Sequence, residues 1–162
     1  MASLQSLRAA KVMERNLTVL IAEDNEDDAF LLERAFRSIG LKNPIQIVPD
    51  GEQVIAYLQG TDKFADRRQH PFPSVVFLDI KMPRKDGFDV LGWLRDHPEC
   101  HVMPTMIFSS SSDPADITRA YQCGANAYLV KPGSLPELEV YLKRAFDFWA
   151  ICAKPPLPES CG

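Results

Sequence analysis

The chain has 162 residues, of which 46% are hydrophobic, and a formal net charge of −4 at pH 7. This size and composition fit one globular domain with a substantial core. The acidic balance gives no support to a nucleic-acid partner, which normally leaves a basic stripe on the surface. No stretch approaches the roughly 20 apolar residues that a membrane span needs. We therefore expect a cytoplasmic protein with neither a membrane nor a nucleic-acid partner.

The cysteines of the chain give no sign of a metal or redox site. They show neither a C-x-x-C spacing nor a nearby histidine pair, which metal sites commonly have. We therefore expect reduced thiols at all four positions, which are Cys100, Cys123, Cys152 and Cys161.

The chain begins with a segment whose structure the sequence leaves open. Residues 1–16 carry apolar side chains at loosely helical spacing, so this leader is either a short appended helix or a disordered segment. An apolar strand then begins at Leu17 and ends in the adjacent carboxylates Glu23 and Asp24. Asn25 can cap a helix whose first turn is acidic, which suits the positive end of the helix dipole. A short second strand over residues 45–48 and a second helix follow.

The third predicted strand, residues 75–78, is fully apolar and ends abruptly in Asp79. Such a run is typical of a parallel strand that is covered on both faces. Ligands of open α/β sheets bind outside the carboxyl ends of the strands, which makes Asp79 a candidate functional residue. The alternative is that Asp79 only caps the turn after the strand, as many turn aspartates do.

Two further strands are predicted in the second half of the chain. The strand over residues 105–108 leads into a run of serines that begins at Ser109, and the strand over residues 128–130 ends in Lys131. Capping signals at Asp113 and Ser134 begin the last two helices. The proline-rich segment over residues 151–162 cannot continue the final helix and should run extended.

The alternation of five strands with five helices predicts a three-layer, doubly wound α/β fold with a parallel sheet in strand order 2-1-3-4-5. The first and third strands are then neighbours, so Glu23, Asp24 and Asp79 converge at one edge of the sheet. Carboxylates packed this closely repel one another and need a cation. Oxygen ligands of this kind suit Mg²⁺, which binds through a few carboxylates, waters and phosphate.

These features resemble the receiver domains of two-component response regulators over roughly residues 17–150. Glu23 and Asp24 stand at the position of that family's acidic metal-binding pair, and Asp79 at the position of its phosphoacceptor. The loop that follows is matched by Met82-Pro83 and Asp86-Gly87. The family's strand-end hydroxyl, aromatic switch residue and strand-end lysine are matched by Ser109, Tyr128 and Lys131. The spacing to Lys131 favours Ser109 over Ser110. Within the family, the chain is most similar to stand-alone regulators paired with phytochrome-type histidine kinases.

The resemblance implies a flavodoxin-like fold and a signalling role. A sensor histidine kinase would donate a phosphoryl group to Asp79, and Lys131 would neutralise the developing charge. The implied Mg²⁺ ligands are Glu23, Asp24, Asp79 and the backbone carbonyl of Lys81. Ser109 and Tyr128 would then switch a binding surface. Such a protein promotes its own Mg²⁺-dependent phosphorylation and dephosphorylation but is not a metabolic enzyme.

Three other functions fit the same architecture less well. A phosphatase with an aspartyl nucleophile usually has a second acid two residues later, where this chain has Lys81. A flavin-binding module would need a phosphate-cradling loop after the first strand, where Glu23 and Asp24 would repel phosphate. A receiver-like domain that binds partners without phosphorylation would not need the complete set of site residues.

The last helix predicts an assembly surface. Neighbouring residues on a helix point about 100° apart, so Phe148 and Trp149 cannot both face one core. At least one large aromatic side chain should therefore be exposed, unless the tail around Leu157 covers it. An exposed apolar surface often marks an interface, and the resembling family pairs through this face. We therefore expect a homodimer that uses the last helix.

Overall fold

The computed structural model describes residues 17–153 and 155–161. The predictions for residues 1–16 lie outside this range. A five-stranded parallel sheet has the order β2-β1-β3-β4-β5, which confirms the predicted topology. The strands are β1 (Val19–Ala22), β2 (Ile45–Val48), β3 (Val75–Leu78), β4 (Thr105–Ser109) and β5 (Ala127–Val130). The helices are α1 (Glu26–Ser38), α2 (Gly51–Gln59), α3 (Gly87–Arg95), α4 (Pro98–His101), α5 (Pro114–Gln122) and α6 (Leu135–Ile151), and a 3₁₀ turn spans Asp62–Phe64.

The pairing of β1 with β3 sets the position of the acidic residues. Both strands are completely buried, and Ala22 lies opposite Leu78 in the parallel register. The next residues along the two strands are Glu23 and Asp79. The sheet therefore delivers these two carboxylates side by side, at its carboxyl-end edge.

Helices cover both faces of the sheet, as the doubly wound fold requires. One core cluster lies between the sheet and α1 and α6, and includes Phe36, Leu142 and Phe146. The other lies beneath α2, α3 and α5, and includes Tyr57 and Leu91. Because every strand is parallel and is followed by a returning helix, the five returning helices begin at the carboxyl-end edge of the sheet and end at the amino-end edge. They are α1, α2, α3, α5 and α6.

One helix was not predicted from the sequence. The helix α3 ends at Arg95, and Pro98 then begins the one-turn helix α4. Proline suits the first position of a helix because its missing N–H would have no partner there. This extra turn carries Cys100 into the core, where it is fully buried.

The prediction of reduced thiols is wrong for two of the four cysteines. Cys100 and Cys161 form a disulfide across a sequence separation of 61 residues, whereas Cys123 and Cys152 are free. No local pattern in the sequence marks this pair, because the tail must fold back across the amino-end edge of the sheet before the two residues meet. The backbone N–H of Cys161 donates to the carbonyl of Leu58 at 2.9 Å, and Leu157 packs against the core beneath α2 and α3.

Within the described ranges, none of the helices combines the length and the apolar character that crossing a membrane requires.

Candidate functional site

Three carboxylates converge at the carboxyl-end edge of the sheet. One oxygen from each of Glu23, Asp24 and Asp79 lies within 4.8 Å of the others. Glu23 and Asp79 are buried, whereas Asp24 is exposed. This cluster confirms the convergence that was predicted from the strand ends. Its all-oxygen donor set and its opening to solvent fit a hard divalent cation such as Mg²⁺.

The ammonium group of Lys131 lies in the middle of this acidic cluster. Lys131 Nζ lies 2.5 Å from Glu23 Oε2, 3.0 Å from Asp79 Oδ2 and 3.1 Å from Asp28 Oδ2. The side chain of Lys131 is only 14% exposed, so these ion pairs are largely shielded from water. One cation therefore balances part of the charge of three acids at the end of β5.

Two effects set the pKa values in this cluster, which are burial and the positive charge of Lys131. Burial raises the pKa of Glu23 to about 7, although its hydrogen bond to Lys131 acts in the opposite direction. Burial alone would lower the pKa of Lys131, but its hydrogen bonds and charge interactions with Glu23 and Asp79 hold that pKa above its usual range. The ammonium therefore stays charged, and a further positive charge nearby would favour the ionised form of Glu23.

The loop from β3 to α3 is built closely around Asp79. Asp86 caps α3 by accepting a hydrogen bond from the Asp89 N–H at 2.8 Å, and Asp89 accepts one from the Asp86 N–H at 3.0 Å. A Cβ atom on Gly87 would lie 2.4 Å from the backbone carbonyl oxygen of Asp79. Only glycine fits this position, because no side chain can approach a backbone atom so closely. The Asp86-Gly87 pair thus packs the start of α3 against the end of β3.

The same loop is tied to the start of α2 by an ion pair. Arg84 adopts a left-handed conformation with a φ of 64°, and its Nε donates to Asp50 Oδ2 at 2.9 Å. Asp50 is fully buried and also caps α2 by accepting from the Gln53 N–H. Burial would raise the pKa of Asp50, but the hydrogen bonds from Arg84 and the backbone hold it below its usual range.

Ser109 and Tyr128 lie on the two neighbouring strands. Ser109 is the last residue of β4 and is buried, whereas Ser110 is exposed. The Lys131 N–H donates to the Ser109 carbonyl at 2.8 Å, so the two residues lie side by side at the edge of the sheet. Tyr128 is half-buried against the core and donates its hydroxyl to the Ser111 carbonyl at 2.9 Å. The aromatic ring is therefore linked to the loop that follows β4.

The structure brings together most of the residues that the sequence singled out, and it adds partners that sequence reasoning missed. The carboxylates, Lys131 and Ser109 come together, and Lys81 lies two residues after Asp79 on the adjoining loop. The contacts of Asp28 with Lys131 and of Arg84 with Asp50 were not predicted. Asp28 was assigned only to the helix dipole, and a charged pair 34 residues apart leaves no periodic signal in a sequence.

Comparison with known proteins establishes the class of the chain. Residues 19–143 match the model of the response regulator receiver domain, so the chain belongs to this family. It is 26% identical over 131 residues to the response regulator Rcp1 of Synechocystis, covering 81% of this chain and 87% of that protein. The resemblance predicted from the strand-end residues is therefore confirmed.

Solved structures place the chain near regulators of light signalling. The response regulator RPA3017, which acts in red light signalling of R. palustris, aligns with a TM-score of 0.82 and 35% identity, over 86% of this chain and 99% of that one. The phosphorylated cyanobacterial phytochrome response regulator RcpA aligns with a TM-score of 0.79 and 27% identity, over 87% and 99%. The Mn²⁺-bound form of Rcp1 aligns with a TM-score of 0.75 and 25% identity, over 86% and 99%. The chain is thus a signalling protein similar to the stand-alone regulators of phytochrome systems.

Proposed function

We propose that the chain accepts a phosphoryl group on Asp79 from a phosphohistidine of a sensor kinase. The observation that carries this proposal is the position of Lys131 Nζ, 3.0 Å from Asp79 Oδ2 at the edge of the carboxylate cluster. An acid paired with a shielded ammonium, beside further acids that can hold a metal, has the groups that phosphoryl transfer needs. A turn-capping role alone would not require Lys131.

The reaction exchanges one bond to phosphorus for another. A carboxylate oxygen of Asp79 attacks the phosphorus atom in line, the P–N bond breaks, and its electron pair returns to the imidazole of the donor. Lys131 stabilises the negative charge on the phosphoryl oxygens. Mg²⁺, when bound by Glu23, Asp24, Asp79 and the carbonyl of Lys81, supplies further positive charge beside these oxygens. With water as the acceptor, the same residues would promote hydrolysis of the phosphorylated form.

The phosphorylated state would act through Ser109 and Tyr128. A phosphoryl group on Asp79 adds about 1.5 to 2 negative charges and several strong hydrogen-bond acceptors. The Ser109 hydroxyl, on the strand next to β3, can donate to this group. Tyr128 shares a hydrogen bond with the loop after β4, so a shift of that loop changes the surface formed by α5, β5 and α6. Output is thus a change in a binding surface.

Phosphorylation by acetyl phosphate tests the proposal directly. Incubation with acetyl phosphate and Mg²⁺ should add one phosphate to the wild-type chain, which intact-mass measurement detects. The Asp79→Asn variant should add none, whereas Asp96→Asn, which changes an acid at the opposite end of α3, should behave as wild type. Retention of the phosphate in Asp79→Asn would refute the assignment of the acceptor.

The proposed partner is a histidine kinase of the phytochrome type in the cytoplasm. This proposal rests on the similarity to Rcp1, RcpA and RPA3017. In a panel of phosphorylated kinases, a phytochrome-type kinase should transfer its phosphate to the full chain, in which residues 17–150 are the proposed receiver unit, faster than unrelated kinases do. Equal rates across the panel would contradict the assignment.

We further propose that the chain forms a homodimer through α6. Phe148 is 65% exposed, which agrees with the prediction that at least one large aromatic of the last helix is exposed. It lies on a face of α6 that also carries exposed Tyr141 and Ile151. The tail does not cover this face through Leu157, which packs on the opposite side of the sheet. Symmetric twofold dimers are the commonest assembly of this kind.

Light scattering of the purified chain at micromolar concentration tests the dimer. Wild type should show twice the chain mass, and Phe148→Asp should shift the mass toward the monomer. The control is Phe30→Asp, since Phe30 is similarly exposed on α1. A wild-type monomer both with and without phosphorylation would rule out the proposed assembly.

A further inference from the structure

Asp28 is the member of the acidic cluster that the proposed chemistry leaves unused. It lies in the first turn of α1, where its backbone N–H donates to the capping side chain of Asn25 at 2.9 Å. Its own carboxylate is free of that cap and instead accepts from Lys131 Nζ at 3.1 Å. The two residues are 103 positions apart in sequence, so this contact is made by the tertiary fold.

The three acids around Lys131 differ in what they can do once the site is loaded. Glu23 and Asp79 belong to the carboxylate group that would hold the metal. Asp28 is not part of that group, and its side chain is 45% exposed, so it lies on the solvent side of the carboxylate cluster. Asp28 is the one of these three acids that lies outside the proposed metal ligands, so its contact with the ammonium remains available when a divalent cation binds Glu23 and Asp79.

We propose that Asp28 is a positioning residue for Lys131 in phosphoryl transfer. By accepting one N–H of the ammonium at the mouth of the pocket, it directs the other two N–H groups toward Asp79 and the incoming phosphoryl oxygens. A lysine ammonium has three rotatable donors on a flexible stem, and so gains more from a fixed acceptor than an arginine would. This inference rests on the proposed function of Asp79.

The hydrogen-bonding oxygen, rather than the negative charge of Asp28, is what the contact requires. Asparagine offers an oxygen acceptor of the same size at the same position, whereas alanine offers none. The adjacent residue, Asp27, is exposed and is not among the acids that contact Lys131. The Asp27→Ala variant therefore removes the same charge without removing a contact with Lys131.

The experiment measures the phosphorylation rate with acetyl phosphate, at saturating Mg²⁺, for wild type and three variants. Asp28→Ala should lower the maximal rate by about tenfold, the change expected when one charge-assisted hydrogen bond is lost from the transition state. Asp28→Asn should restore at least half of the wild-type rate, and Asp27→Ala should leave the rate unchanged. The Mg²⁺ dissociation constant of Asp28→Ala, measured by isothermal titration calorimetry, should stay close to the wild-type value. That result would show that the variant is folded and keeps the carboxylate cluster.

Two results would overturn the inference. One is a maximal rate for Asp28→Ala that equals or exceeds the wild-type rate, which would mean that the contact does not assist transfer. The other is an equal decrease in Asp28→Ala and Asp27→Ala, which would assign the effect to charge near the pocket. Both leave Asp79 as the acceptor, whereas absence of phosphorylation in the wild type would instead contradict the proposed function.

Discussion

The two edges of the sheet are built for different purposes. At the carboxyl-end edge, charged side chains are buried with Lys131 as their shared cation. At the amino-end edge, an arginine and the disulfide-linked tail cap the end of α2. Arg67 donates to the carbonyls of Tyr57 and Leu58 at 2.6 and 2.7 Å, and the Cys161 N–H also donates to the Leu58 carbonyl. The first edge has charge repulsion that a ligand can relieve, whereas at the second edge donors of the chain itself cap the last carbonyls of α2.

The two edges therefore affect the free energy of unfolding in different ways, one through a bound ligand and the other without it. Buried like charges destabilise a folded chain unless a cation is bound. A disulfide and capped helix ends stabilise it whether or not a ligand is present. Changes at the amino-end edge should therefore alter unfolding and leave ligand responses intact, whereas changes among the carboxylates should do the reverse.

The largest expected effect comes from removing the disulfide. Cys161→Ser should lower the free energy of unfolding by about 4 kcal/mol, from the loop-closure entropy of a cross-link spanning 61 residues. Urea unfolding under non-reducing conditions measures this difference. Cys123→Ser is the matched control, because Cys123 is a free thiol and should unfold as wild type.

If the two edges are independent, Mg²⁺ should raise the free energy of unfolding by the same amount in Cys161→Ser and in wild type. A Mg²⁺ response that disappears with the disulfide would show that the edges are coupled through the sheet. Unchanged stability in Cys161→Ser would instead show that the disulfide adds nothing to the stability of the fold.

An intermediate effect is expected from the ion pair that ties the β3–α3 loop to α2. Arg84→Ala leaves the buried carboxylate of Asp50 without its cation and should lower the free energy of unfolding, although by less than the loss of a fully buried partner would, because Arg84 is half exposed. Arg68→Ala is the control, since its pair with Asp66 is on the surface and should contribute little. A cost for Arg84→Ala no larger than that for Arg68→Ala would refute the role of this pair.

This stabilisation should also depend on pH in a defined direction. The folded pKa of Asp50 is lowered from its ordinary value of 3.8, so the stabilisation is complete above that value and is lost as the pH falls through the folded pKa. The difference between wild type and Arg84→Ala should therefore be constant near neutral pH and shrink below about pH 4. A difference that persists in strong acid would mean that packing, not charge, is lost in the variant.

The sequence predicted the carboxyl-end edge far better than the amino-end edge, and the reason is physical. Apolar strands that end in Glu23, Asp79 and Lys131 are local patterns, and a parallel sheet necessarily brings such ends together. The pairing of Cys100 with Cys161 depends instead on the path of an irregular tail, which no periodicity describes. Asp28 lies between these cases, because its position on α1 was predictable but its contact with Lys131 depends on the rotation of the helix against the sheet.

The smallest expected effect sharpens the contrast most, because it concerns the ligand itself. Divalent metal that binds only the folded chain should raise the free energy of unfolding by about 1.4 kcal/mol when Mg²⁺ is at about ten times its dissociation constant. Asp24→Ala should lose most of this increase, since Asp24 contributes one of the three clustered carboxylates. Because Asp24 is exposed, the free energy of unfolding of the same variant should be close to the wild-type value when a chelator removes Mg²⁺.

Thermal unfolding with Mg²⁺ and with chelator measures both quantities. Asp27→Ala changes an exposed acid outside the cluster and should keep the full Mg²⁺ response. An unchanged Mg²⁺ response in Asp24→Ala would exclude the carboxylate cluster as the metal site.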